Sequence, residues 1–370
     1  MTHNDIVATI KQSSMNTGLT IPLSHKKFNA NVSITRGMYV LLGGESGTGK
    51  TACADSLFVL DIYDTWLNQK VKTFNPYWIY RSMERPELYK RSKWICYKLW
   101  KEYNILCDVP TLLSWQNKMY TISDELIQLV KSFDEYFEGF FEKIYMVSGS
   151  DNPIGIMKVV QNSMLKFGTI HQIDEFKKEF IYHDDKQIVF HVTDHIGKIK
   201  LAKGYETKKQ AIDAYSGFMA NSFRDFYLGT CFDISQLNRA ISSTERLKLT
   251  DLDVKPEDFK ESAEPYENAD LVLGLLNPLK RGLETYPAEN GYSIAKGVDA
   301  TGKNRFRSMK IIKNSWGTDD LRTAYRFLGE NGHMVELPKA SEMNTIYNGM
   351  TWYDRLVLKD YKVNSKWRKD

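Results

Sequence analysis

The chain is poor in cysteine, with Cys53, Cys96, Cys107 and Cys231 the four among 370 residues. None forms a C-x-x-C pair, so a zinc knuckle and a disulfide scaffold are excluded and a reducing compartment is expected. Long apolar runs are also lacking, which excludes a transmembrane helix and a membrane partner. Met1 to Lys11 has no apolar core of signal-peptide type, so a cytoplasmic location is expected. No internal repeat or low-complexity tract occurs. An excess of one charge is missing too: 50 basic against 46 acidic side chains leave a net charge of +4. That balance permits nucleic-acid binding without arguing for it. What is present is 42% hydrophobic and 13% aromatic residues, enough for a large buried core and incompatible with intrinsic disorder.

Strand and helix patterns alternate. Gly37 to Leu42 is a glycine followed by an apolar run, the signature of a strand buried on both faces. Further strands are expected at Trp78–Tyr80, Lys143–Val147, Gln187–Val192, Gly229–Ile234, Asp270–Leu276 and Met309–Ile312. Helical spacing marks 51–61, 86–104, 122–143, 153–167 (with Asn152 as N-cap) and 208–227, and a short helix is expected near Asp5–Ser13. The alternation predicts an α/β fold, a doubly wound, mostly parallel twisted sheet with helices on both faces.

Gly44-Glu45-Ser46-Gly47-Thr48-Gly49-Lys50-Thr51 fits G-x-x-x-x-G-K-[ST] without departure. Glycines let successive N–H groups turn inward around phosphate oxygens, and the helix N-terminus behind them adds positive potential. Lys50 is expected to reach the β- and γ-phosphates of ATP, and the Thr51 hydroxyl to ligate Mg²⁺. A chance glycine turn would not need the buried strand before it and the helix after it, and both are predicted here. A phosphate-loop ATPase needs a second acid at a neighbouring strand end, and Ile188–Thr193 delivers Asp194 there. His191 and His195 flank it at i and i+4, but the segment is no H-E-x-x-H helix, so His191 reads as a core strand residue.

With these residues placed, further stretches fall into a known order. The chain resembles the RecA-like motor domain of DnaB-type (superfamily 4) replicative helicases, in the short form encoded by phages. Arg81-Ser82-Met83-Glu84 is similar to the family's S-x-E-M, whose Glu polarises the attacking water, so the resemblance makes Glu84 the general base. Asp233-Ile234-Ser235-Gln236-Leu237-Asn238-Arg239 matches S-Q-L-N-R, with Gln236 as the sensor of the γ-phosphate. Phe259-Lys260-Glu261-Ser262 and Glu267 to Leu273 match L-R-E-S and E-x-A-D-V-V-L, a pattern that generic phosphate-loop physics does not demand. Between these lies the family's channel-facing loop, which makes Arg239, Arg246, Lys248 and Lys255 candidate contacts to single-stranded DNA.

The resemblance covers residues 17 to about 338. It implies ATP and Mg²⁺ as cofactors, a homo-hexameric ring, 5′–3′ helicase activity, and a primase or a loader as partner. It also places the chain in the host cytoplasm if it is phage-encoded. Residues 1–16 are expected to be a linker or docking segment, 17–340 the motor, 85–143 an extended helical insertion rich in aromatics, and 341–370 a basic, aromatic tail.

One departure stands out. The family's K-x-R, whose arginine completes the neighbouring subunit's ATP site, corresponds to Lys313-Asn314-Ser315. Serine cannot replace a planar guanidinium. Lys313, Arg305, Arg307 and Arg322 are the candidate trans-acting cations, and Lys303-Asn304-Arg305-Phe306 is also similar to the K-N-R-F of RadA-type ATPases. Two alternatives to a replicative helicase therefore stay open: a RadA- or RecA-like recombination or helicase-loading ATPase, and a ring-forming ATP-binding protein with weak hydrolysis.

Overall fold

The computed structural model describes residues 3–4, 6–7, 19–115, 122–238, 241, 246, 252–259, 263–287, 291–299 and 302–346. Arg239, Lys248, Lys260 to Ser262, nearly all of 1–16 and most of 341–370 lie outside the described residues.

Short strands β1 (Thr20–Ile21) and β2 (Ile34–Thr35) pair ahead of the main sheet. The main sheet starts with β3 (Tyr39–Gly44), β4 (Asn75–Ser82) and β5 (Ile144–Ser148). A separate antiparallel hairpin, β6 (Gly168–Gln172) with β7 (Lys178–Tyr182), follows. The sheet then takes β8 (Gln187–Asp194), β9 (Thr230–Gln236) and β10 (Leu271–Leu276). After a small ladder of β11 (Thr285–Tyr286) and β12 (Tyr292–Ser293) come β13 (Phe306–Asn314), β14 (Arg322–Leu328) and β15 (His333–Glu336). The spatial order of the nine strands is β15-β14-β13-β10-β3-β9-β8-β4-β5. From β10 to β5 all neighbours are parallel. The last three strands extend the other edge antiparallel.

The apolar runs of the central strands have a direct cause. Val40 and Leu42 of β3 enter one core with Leu57, Phe58, Trp78, Phe190 and Phe232. Tyr39 and Leu41 enter a second core with Ile79, Val189, Ile156, Val160 and Ile212. Successive side chains of a strand point to opposite faces, so a strand covered on both sides needs apolar residues at every position.

The first face carries one continuous helix behind the phosphate loop, made of Lys50–Ala54, the π-helical stretch Asp55–Leu60 and Asp61–Asn68. The helix Glu87–Tyr103 packs beside it. Several aromatics of 85–143 are part of that same core: Trp94, Phe137 and Phe140 are buried together with Tyr63 and Trp78, whereas Tyr103 and Trp115 are exposed. The second face carries the helices Pro153–Met164 and Lys208–Phe218. Asn152 caps the former, its Oδ1 accepting from the Gly155 N–H at 3.0 Å. All seven expected strands are present. β14, β15 and the β6–β7 hairpin are additional to them, and the Met309–Ile312 strand lies antiparallel within β13.

Candidate functional site

The site lies at the carboxyl ends of β3, β4, β8 and β9, where an open parallel sheet presents its crevice. β3 ends in Gly43-Gly44, and the loop turns into the helix through Gly49, whose φ of +98° is left-handed. No side chain caps that helix, so its first N–H groups remain available to an anion. Two glycines are dictated by contact. A Cβ on Gly44 would lie 2.8 Å from Thr48 Oγ1, and one on Gly49 would lie 2.6 Å from the Phe327 ring. Lys50 Nζ donates to its own loop at the Glu45 carbonyl, 2.9 Å away. Burial pushes its ammonium down to about 8.

Thr51 Oγ1 donates to Asp194 Oδ1 at 2.7 Å. The first turn of the loop helix and the end of β8 thus bring a hydroxyl and a carboxylate together. Asp194 is 1% exposed, and its Oδ2 accepts no hydrogen bond, with Lys90 Nζ 3.6 Å away. An all-oxygen pair with an orphaned, buried carboxylate oxygen is the donor chemistry a hard divalent cation requires. Lys90, from the helix Glu87–Tyr103, also reaches Asp55 Oδ2 at 2.7 Å, and Tyr80 donates to Asp55 Oδ1 at 2.6 Å.

Ser82 of β4 stands in register with Asp194, and the Met83 N–H donates to the Asp194 carbonyl at 2.8 Å. This places Glu84 just beyond the strand end, beside the acid. Glu84 is half-exposed and bonds His195 Nε2 at 3.1 Å, with Lys198 Nζ at 3.8 Å. His195 Nδ1 accepts from the Gly197 N–H at 3.1 Å. That assigns the ring's proton to Nε2, so the imidazole donates to the Glu84 carboxylate. Burial lowers the His195 pKa, keeping it neutral at neutral pH. Gln236 ends β9, exposed and in register with Gly44, so it stands between the phosphate loop and Asp194. Geometry thus brings Lys50, Thr51, Glu84, Asp194 and Gln236 to one crevice.

The other candidates separate. His191 is fully buried in β8, with Thr193 Oγ1 3.2 Å from Nδ1, as expected of a core residue, and burial holds its pKa down to about 3. Arg305 is buried against Asp299 and Glu330. Arg307 is buried as well, and its Nε donates at 2.7 Å to the carbonyl of Thr48 in its own phosphate loop. Both guanidiniums are therefore engaged within their own chain. Arg322 pairs with Asp253. Lys313 donates to the Glu267 carbonyl at 2.8 Å, at the end of β13 far from the loop. Arg246 pairs with Asp258 and the Lys255 N–H donates to the same carboxylate, so both belong to one folded turn. Asp270 of the E-x-A-D stretch accepts the Tyr39 N–H at 2.8 Å, anchoring the start of β3.

Sequence patterns did not point to Lys90 or Phe327, nor to the positions that His195 and Arg307 take up. Lys90 and His195 bind the two carboxylates, and Arg307 and Phe327 come from β13 and β14. The last two line a cavity of about 360 Å³ with Tyr89, Lys93, Arg305 and Glu330. Because Phe327 rests on Gly49 and Arg307 on Thr48, this cavity opens beside the phosphate loop. For His195 the one available signal was its place directly after Asp194 at a strand end.

Comparison with solved structures decides the fold. A helicase ATPase domain, solved as a separate domain, aligns with 91% of this chain and 99% of its own, at 14% identity and a TM-score of 0.59. A DnaB-like replicative helicase, in a structure that also concerns its interactions with primase, aligns with 91% of this chain and 67% of its own. Its identity is 14% and its TM-score 0.61. The chain has the RecA-like fold of DnaB-type helicase motor domains. No protein-family model and no curated protein matches the sequence.

Proposed function

We propose that the chain is an ATP-hydrolysing motor of the replicative-helicase type, acting on single-stranded DNA as a ring of identical subunits. The observation that carries this reading is the convergence of Lys50, Thr51, Glu84, Asp194 and Gln236 on one crevice. It is supported by the fold shared with helicase ATPase domains.

The loop N–H groups from Glu45 to Thr51 cradle the phosphates, and Lys50 pairs with the β- and γ-oxygens once ATP displaces it from the Glu45 carbonyl. Thr51 and Asp194 are the residues that would hold Mg²⁺, which when bound neutralises charge on the β- and γ-phosphates. Glu84 takes the proton of the water that attacks the γ-phosphorus, and the bond to the β,γ-bridging oxygen breaks to give ADP and phosphate. His195 orients that carboxylate. Gln236, one strand over, reports γ-phosphate loss to the polar loop that follows β9, where Arg239, Arg246, Lys248 and Lys255 are the candidate DNA contacts. The cavity lined by Tyr89, Arg307 and Phe327 suits a nucleobase and ribose, with aromatic faces for stacking. A hexameric ring, 5′–3′ polarity and a primase or loader as partner complete the proposal.

Steady-state ATP hydrolysis with and without single-stranded DNA tests the reading. DNA-stimulated turnover that Glu84→Gln abolishes supports it. ATP binding without turnover, with or without DNA, favours instead a ring-forming ATP-binding protein, the reading that the buried Arg305 and Arg307 and the serine at 315 leave open.

A further inference from the structure

We infer that Lys280 is a catalytic residue that supplies, within the same chain, the positive charge that Ser315 cannot supply from a neighbour. The inference deepens the ATPase reading and rests on it. Lys280 belongs to the short turn Pro278–Arg281 that follows β10, the strand hydrogen-bonded to β3 on the side opposite β9. Its ammonium donates to the Ser46 carbonyl at 2.8 Å and lies 2.9 Å from where a Cβ on Gly47 would stand. Ser46 and Gly47 lie at the crown of the phosphate loop, the part that the ATPase reading sets against the γ-phosphate. The same ammonium is close enough to Lys50 that, after burial, its charge also works to lower the Lys50 pKa.

Two features show that the turn is built into the site. Arg281, adjacent in sequence and nearly fully buried, pairs with Glu45 of the loop at 2.6 Å. It also donates to the Ile241 carbonyl at 2.8 Å, beyond the end of β9. Arg281 therefore pins the turn to the phosphate loop and leaves Lys280 exposed at its rim, on a stem long enough to follow a phosphate. The cations expected to act in trans are engaged elsewhere: Arg305 with Asp299 and Glu330, Arg307 with Thr48, Arg322 with Asp253 and Lys313 with Glu267. Among the described residues Lys280 donates to a loop carbonyl, and an anionic oxygen is the better acceptor. As the γ-phosphoryl loosens, charge grows on the β,γ-bridging oxygen of the departing ADP. A cation already at the crown stabilises that charge more than the ground state, so it acts on kcat.

The test measures basal ATP hydrolysis and binding of a fluorescent ATP analogue in wild type, Lys280→Ala, Lys280→Arg, Lys313→Ala and Glu84→Gln. Lys280→Ala is expected to lose about a hundredfold in kcat, with analogue affinity changed by only a few-fold. Lys280→Arg should restore most of the rate, which a folding defect would not allow. Lys313→Ala should leave the basal rate unchanged, and the wild-type rate per chain should hold as the protein is diluted to monomer. Lys280→Ala turning over within about threefold of wild type overturns the assignment. So does a rate per chain that vanishes on dilution, which would place the cation in a neighbour. A wild type that binds the analogue but never turns ATP over overturns the ATPase reading itself, and this assignment with it.

Discussion

Lys90→Met removes a lysine that stands between two buried carboxylates. The ammonium is 2.7 Å from Asp55 Oδ2 and 3.6 Å from Asp194 Oδ2, and all three side chains are at most 6% exposed. Methionine keeps much of the aliphatic stem, so the change reports the charge more than the volume. Breaking a buried pair by deleting one partner costs about 3–5 kcal/mol, because the remaining charge is left uncompensated. Two carboxylates lose their cation here, whereas Asp55 keeps the Tyr80 hydroxyl. A loss of about 4 kcal/mol is therefore expected. Urea unfolding followed by far-ultraviolet circular dichroism, without Mg²⁺ or nucleotide, reads it as a lower midpoint at unchanged slope. Adding Asp55→Asn to Lys90→Met removes one of the stranded charges. The double variant should recover about half of the loss, a strong departure from additivity. A Lys90→Met cost under about 1 kcal/mol, or a double variant that simply sums the two losses, would refute the reasoning.

Three other outcomes follow from the geometry. His195→Ala should lower kcat on the order of tenfold with KM little changed, because one hydrogen bond to the Glu84 carboxylate is lost, and His195→Gln should recover part of it; a KM effect alone would contradict the positioning role. Phe327→Ala, which strips the cavity beside Gly49 of an aromatic face, should raise KM for ATP with less effect on kcat. Glu330 is held down to about 2 by Arg305 against the opposing effect of burial. A depressed carboxylate stabilises the fold above its unfolded pKa and ceases to do so as pH falls through the folded one. The window is thus pH 4.5 down to about 2, worth about 3 kcal/mol, and the acid limb of the wild-type stability curve in that window should shrink in Glu330→Gln.

How much of this was legible in the chain depends on the range of the interactions. The central strands could be read because both faces are covered, which forces runs such as Val40-Leu41-Leu42 and Ile188-Val189-Phe190. The phosphate loop was legible because its chemistry is local: glycine geometry, a lysine and a hydroxyl within eight residues. Asp194 was found because it ends an apolar strand, and Gln236 because the stretch at the end of the next strand resembles the family's S-Q-L-N-R. β14 and β15 were missed because their polar residues mask the pattern: Arg326 is buried with its guanidinium over the Trp100 ring, and β15 is four residues long. The hairpin β6–β7 faces solvent along most of its length and carries little apolar periodicity. Lys90, Arg307 and Phe327 act across the fold, and no spacing rule brings them to Asp55, Thr48 or Gly49. Arg305 shows the opposite limit. Its K-N-R-F context invited a catalytic reading, whereas its guanidinium is committed to Asp299 and Glu330.

The most direct measurement is ATP turnover by wild type and Glu84→Gln, each with and without single-stranded DNA. The account predicts turnover that DNA raises and that Glu84→Gln reduces by at least about a hundredfold while ATP binding persists. Turnover that Glu84→Gln leaves intact, or its absence from the wild type under both conditions, would contradict it.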